Sequence, residues 1–138
     1  MAEYVLITDS ACDILPEKLR EWDVELIRLA YLFTDDGKEM LDNDQPMKEF
    51  YNEMRGGRVA KTSGVNENTF ATVFTAFLEE GKDILYLAFS SGLSVTCENG
   101  KKVAAQLAEY QRKSNGYIKG CLGMRSPNQM IEMYLGVM

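Results

Sequence analysis

The chain has 138 residues, 46% hydrophobic and 26% charged, the ordinary composition of one globular domain with a single core. Fifteen Lys and Arg against twenty-one Asp and Glu leave a net charge of −6, so no basic field is present to hold nucleic acid or an anionic membrane surface. No apolar run approaches the ~20 residues needed to span a bilayer, and Met1-Ala-Glu-Tyr4 lacks the basic start of a signal peptide, so a cytoplasmic protein is expected.

Tyr4-Val-Leu-Ile-Thr8 is a short apolar run containing β-branched residues, the pattern of a strand buried on both faces of a parallel sheet. Small polar residues follow from Asp9 to Asp13. Pro16 suits the first turn of a helix, where its missing N–H has no partner to lose, and a helix from about Pro16 to Trp22 is predicted. Val24 to Phe33 has strand composition throughout, Asp35-Asp36-Gly37 supplies a tight turn, and Lys38 to Leu41 reads as a short return strand. Asp44-Gln45-Pro46 opens a second helix with Met47, Phe50, Tyr51 and Met54 on one stripe, closed at Gly56-Gly57 by a left-handed cap.

Val59 to Gly64 is expected to be a polar loop carrying Thr62 and Ser63. Asn66 then caps a helix that turns Phe70, Val73, Phe74 and Phe77 inward and ends at Gly81. Asp83 to Phe89 is the clearest buried strand; Ser90-Ser91-Gly92-Leu93-Ser94 follows, and a helical pattern runs through Val103, Ala104 and Leu107. The order β-α-β-α-α-β-α implies an α/β domain, an open and mostly parallel sheet with flanking helices and right-handed crossovers, over residues 1–110. Residues 111–138 read as an atypical tail. Within it Tyr117 to Met124 shows no clear period, and Ser126-Pro127 starts a short helix with Met130, Ile131, Tyr134 and Leu135 on one stripe.

Chemistry in such a sheet sits beyond the carboxyl ends of the strands, which directs attention to the loops after Thr8 and after Phe89. The Ser90–Ser94 loop leaves a buried strand and enters a helix, a setting that gathers hydroxyls and backbone N–H groups suited to an anion. Ser91 or Ser94 serving only as a helix cap is the competing explanation. Thr62-Ser63-Gly64 either presents two more hydroxyls to the same end or is a solvated turn. Asp9-Ser10 either forms an acid and hydroxyl pair or satisfies the following helix through an Asx turn. The Met47/Phe50/Tyr51/Met54 and Phe70/Phe74/Phe77 stripes read as core rather than as a lipid pocket. The chain has no histidine, which removes a zinc site and the Ser-His-Asp triad. Cys12, Cys97 and Cys121 fit neither a disulfide framework nor a Cys-x-x-Cys metal site. No phosphate-binding glycine loop or catalytic carboxylate pair is present, so no metal, cofactor or catalytic residue is assigned.

Ile7-Thr-Asp-Ser-Ala-Cys-Asp-Ile-Leu-Pro16, Lys61-Thr62-Ser63 and Ser90-Ser91-Gly92-Leu93-Ser94-x-Thr96, in that order, resemble the N-terminal part of the DegV family of bacterial fatty-acid-binding proteins, over about residues 3–108. The resemblance implies a binding protein rather than an enzyme, one that holds a long-chain fatty acid by its carboxylate and, in one branch, presents it to a separate fatty acid kinase. Carried over by motif, the carboxylate contacts would be Thr62, Ser63, Ser91 and Ser94 with the backbone of Gly92 and Leu93; Asp9 and Ser10 are additional candidates. Val95 departs from the family pattern, which has glycine there. The family's second domain has no counterpart in this chain.

The strand and Ala-Ser pair expected after the fourth helix are also missing. One account is a frameshift: Lys113 to Met124, back-translated with permitted codons and shifted by one base, can yield a similar strand and loop. The alternatives to fatty-acid binding are a truncated, non-functional fragment that self-associates over apolar surface, and a phosphotransfer or dihydroxyacetone-kinase-like enzyme subunit.

Overall fold

The structure is a computed structural model that describes residues 4–112 and 122–123. Its strand β1 (Tyr4–Asp9) lies between β2 (Val24–Ile27) and a long inner strand, Asp83–Ala88, all parallel. Ile7, fully buried, pairs with Glu25 on one side and Tyr86 on the other. A short helical turn over Ser10–Cys12 and helix α1 (Pro16–Glu21) connect β1 to β2, with Pro16 in the first turn as predicted. The parallel sheet flanked by helices is the expected α/β architecture.

The run from Val24 to Phe33 is not one strand. It breaks at Arg28 and Leu29 into β2 and β3 (Ala30–Phe33), which belong to different sheets. Groups outside both ladders cause the break. The Leu29 N–H donates to Ser10 Oγ at 3.0 Å, its carbonyl accepts from Asp42 N at 2.8 Å, and the Arg28 guanidinium donates to the Asp42 carbonyl and the Asp44 carboxylate. β3 is the centre of a small antiparallel sheet, flanked by β4 (Glu39–Leu41) and β5 (Ala60–Ser63). The loop expected over Val59 to Gly64 is thereby corrected: Thr62 and Ser63 end an edge strand, with Tyr31 opposite Thr62 and Ala30 opposite Ser63. Lys61-Thr62-Ser63 is exposed, and an edge strand whose side chains meet water carries no apolar alternation to betray it.

Helix α2 (Met47–Arg55) connects β4 to β5 and is followed by Gly57 at φ 98°, the expected left-handed stop. Arg58, just beyond, fastens this layer. Its guanidinium forks onto Asp35 at 2.7 and 2.8 Å, reaches Asp36 at 2.7 Å and Glu53 at 3.1 Å, and lies 4.0 Å from the centre of the Phe33 ring. The Arg58 hydrogen bond holds the Asp35 carboxyl below its ordinary pKa, and the Lys38 N–H together with Arg58 does the same for Asp36. A carboxylate whose pKa falls on folding stabilises the protein above the unfolded value, about 3.9, and that contribution vanishes as pH drops through the folded value. Urea midpoints should therefore fall below about pH 4, and Arg58→Ala should flatten part of that acid limb. An unchanged limb in Arg58→Ala would assign the acid sensitivity elsewhere.

Helix α3 (Glu67–Glu79) and helix α4 (Thr96–Arg112) cover the parallel sheet, with the inner strand β6 (Asp83–Ala88) between them in sequence. Asn66 caps α3 by accepting from Thr69 N at 2.9 Å, as its side-chain chemistry predicts. The core joins Ile7, Ile27, Phe70, Phe74, Tyr86 and Val103, with the rings of Phe70, Phe74 and Tyr86 mutually 5.2–6.0 Å apart. α4 reaches this cluster through Gly100. A Cβ there would lie 3.0 Å from a Tyr86 ring carbon and 3.3 Å from Phe70, and both rings are buried in the core. Overpacking of this kind costs about 1–3 kcal/mol, against about 1 kcal/mol of helix propensity returned by replacing glycine with alanine. Gly100→Ala should therefore lower the urea midpoint despite its better helix propensity, and a raised midpoint would contradict this packing.

β7 (Leu122–Gly123) adds to β6 beside Leu87 and Ala88 as a parallel fourth strand. Two residues are too few to show a period in the sequence. The terminal helix expected around Met130 to Leu135 lies outside the described residues. Among the described residues no helix is long and apolar enough to cross a membrane.

Candidate functional site

Asp9 ends β1 with its side chain 1% exposed. Its carboxylate accepts from Ala11 N at 3.1 Å, from the Tyr86 hydroxyl at 2.6 Å and from Phe89 N at 3.2 Å. The same group thus shapes the loop after β1 and pins the chain leaving β6. Of the two roles open in the sequence, the geometry supports the structural one: three donors from the protein meet Asp9, and it works as a clamp beneath the site. Ser10 is likewise engaged, accepting from Leu29 N, but it also lines the cleft that Thr62 faces.

The Ser90–Val95 loop is closed largely on itself. The N–H groups of Leu93 and Ser94 both donate to the Ser90 carbonyl, and Gly92 N donates to Ser90 Oγ. The backbone donors that the sequence suggested for an anion are thereby used within the turn. Ser94 Oγ accepts from Thr96 N at 3.1 Å and donates to Thr96 Oγ1 at 2.9 Å, which gives it the capping role that the sequence left open. Ser91 is exposed. Val95, 65% exposed, adopts no left-handed backbone, so a β-branched residue is accommodated without strain.

The end of β5 comes against this loop. A Cβ on Gly64 would lie 2.9 Å from Thr96 Oγ1, 3.0 Å from Val95 Cγ2 and 3.6 Å from Ser94 Oγ, so glycine at 64 lets the two segments touch. The next residue is held at both ends: Val65 N donates to Thr96 Oγ1 at 3.1 Å and the Asn99 amide donates to the Val65 carbonyl at 2.8 Å. Asn99 was not legible as a site residue, because its partner is a backbone group 34 positions away in sequence. Among the described residues, the hydroxyls of Thr62, Ser63 and Ser91 have no protein hydrogen-bond partner, and no hydrogen bond joins Ser91 to Thr62 or Ser63.

Thr62 faces a cleft of about 310 Å³. Ser10 and Tyr31 share its wall with Leu15, Met47 and Tyr51; Ser91 to Ser94 are not among the described residues that line it. This overturns part of the expectation for α2. Phe50 packs edge-on against Tyr31, ring centres 5.0 Å apart, but α2 buries no residue fully, and Met47 and Tyr51 stand 57% and 46% exposed. Met47, Phe50 and Tyr51 of the apolar stripe thus line an open cleft. Leu15, 57% exposed, extends the apolar wall from the other side.

Such an arrangement can take an amphiphile, since the cleft combines the hydroxyls of Ser10 and Thr62 and the polar side chains of Asp13, Asp42, Asn43 and Gln45 with an apolar wall of Leu15, Met47, Phe50 and Tyr51. It offers little to a nucleophilic reaction. Cys97 is fully buried, and burial pushes its thiol pKa up, away from the thiolate that attacks. Among the described residues no group of three or more Cys, Asp or Glu side chains can hold a metal ion.

A family model described as an uncharacterised protein of the DegV family matches residues 3–117. A DegV domain-containing protein of Clostridium perfringens is 35% identical over 112 residues, covering 79% of this chain and 38% of the relative. Among solved structures, a stearic-acid-binding protein of Eubacterium ventriosum superposes with a TM-score of 0.79 at 24% identity, covering 97% of this chain and 46% of that one. A fatty-acid-binding DegV family protein of Thermus thermophilus gives a TM-score of 0.72 at 18% identity, over 98% and 53% of the two chains. The chain thus spans about two fifths to one half of the length of these relatives. On the match over residues 3–117, this chain belongs to the DegV family.

Proposed function

We propose that this chain binds a long-chain fatty acid, with the hydroxyls of Thr62, Ser63 and Ser91 donating to its carboxylate and the apolar cleft beside α2 taking its chain. Ser94, Gly92 and Leu93 serve the same site by shaping the turn that carries Ser91. The observation that carries this reading is the position of Thr62, which lines the cleft while its strand ends one residue later at Ser63 and the next residue, Gly64, lies against the Ser94–Thr96 turn. A carboxylate leaving water needs several donors to offset its lost hydration, and hydroxyls without a protein partner are such donors. Two structural relatives named for fatty acid binding support the same ligand class.

Once bound, the acid remains accessible. Ser91, Thr62 and Ser63 are exposed, so a carboxylate held there stays within reach of a second protein, and presentation to a separate acyl-phosphate-forming kinase is the role we assign. The experiment that tests ligand class is titration of the delipidated chain with oleate and with oleyl alcohol. Tighter binding of the acid is expected. Equal affinity for both would mean that the hydroxyls play no part, and no binding of either would remove the proposal.

A further inference from the structure

The two halves of the proposed carboxylate site sit on different parts of the fold, Thr62 and Ser63 on an edge strand of the antiparallel sheet and Ser91 on the turn after β6. Their separation is set by whatever joins the end of β5 to the start of α4. Among the described residues, the side chains donating to or accepting from that junction are Thr96 and Asn99. Thr96 is 1% exposed, and its Oγ1 accepts from both Val65 N and the Ser94 hydroxyl. Asn99, one turn further along the helix, donates through Nδ2 to the Val65 carbonyl. One peptide group is therefore held by its N–H and the next by its C=O, both from the first turn of α4, while Gly64 permits the close approach.

We propose that Thr96 and Asn99 form a two-point latch on Val65 that sets the spacing between the Thr62–Ser63 and Ser91 hydroxyls, and so decides whether one carboxylate can reach both. Both act as positioning residues, and neither touches the ligand. The inference rests on the fatty-acid reading above. It also explains why the proton of Ser94 is turned inward: the bond to Thr96 ties the turn to the latch, leaving Ser91 to meet the ligand.

A residue that only supports the fold would weaken acid and alcohol binding alike. A latch on the carboxylate site weakens the acid alone, because the alcohol relies on the apolar cleft. In Thr96→Val and in Asn99→Ala, oleate affinity should fall on the order of tenfold, the scale of one misplaced hydrogen bond to a charged group, while oleyl alcohol affinity is retained. Thr96→Ser, which keeps the hydroxyl, should restore the parent's preference. Asn99 is partly exposed, so its variant keeps the test open should Thr96→Val fail to fold. Variants that retain the parent's acid-over-alcohol preference, or that lose both ligands equally, overturn the latch and leave the site reading standing. A parent chain that binds neither ligand overturns both.

Discussion

Asp9→Ala should destabilise the fold by about 3 kcal/mol or more, because it strands three donors at once, the buried Tyr86 hydroxyl and two partly buried backbone N–H groups. The Tyr86 hydroxyl, Phe89 N and Ala11 N all point at the Asp9 carboxylate, and water cannot replace it where the residue is 1% exposed. Each hydrogen bond to a charged group is worth about 1.5–3 kcal/mol, and a whole domain is held by only about 5–15 kcal/mol. The loss is therefore a large fraction of the total. Tyr86→Phe removes one donor together with its need for a partner and should cost less. The urea midpoint reads both, with an unchanged m-value indicating that the denatured state is not the cause. A shift in Asp9→Ala no greater than in Tyr86→Phe would show that the clamp is not cooperative.

Thr62→Ala combined with Ser91→Ala should reduce oleate affinity by about 10²–10⁴-fold, the product of two hydrogen bonds to a charged group, while leaving stability within about 0.5 kcal/mol of the parent. Both side chains are exposed, and among the described residues neither hydroxyl has a protein partner, so no internal bond is lost with them. Asp9 and Thr62 lie within one family-like constellation, yet one should move stability and the other binding. Titration calorimetry and urea unfolding on the same samples separate the two effects. Unchanged oleate affinity in the double variant would remove both residues from the site.

Much of this could be read from sequence wherever a periodic pattern met a cap. Pro16, Asn66, Gly57 and Gly81 bound helices as their backbone chemistry requires, and Asp83–Ala88 is the buried strand its composition implies. What escaped depends on distant partners. The division of Val24–Phe33 between two sheets is imposed on Leu29 by Ser10 and Asp42, and local propensity carries no trace of either. Thr62 and Ser63 were legible as functional candidates but not as a strand, since the reason they are extended is their pairing with β3. The α2 stripe was legible as apolar but not as a cleft wall, because periodicity reports which residues share a face and not what covers that face. In the same way, the hydroxyls of the Ser90–Ser94 loop were visible, while the internal bonds that use Ser94 and spare Ser91 were not.

One long-chain fatty acid per chain is expected, its carboxylate on Thr62, Ser63 and Ser91 and its tail in the cleft beside α2. Native mass spectrometry of the purified chain, before and after incubation with oleate, reads this out. A species heavier than the bare chain by the mass of one long-chain fatty acid should appear, and should be lost in Thr62→Ala/Ser91→Ala. A parent chain that stays empty even after oleate is added would rule out this site, and would mean that family membership here describes the fold without its ligand.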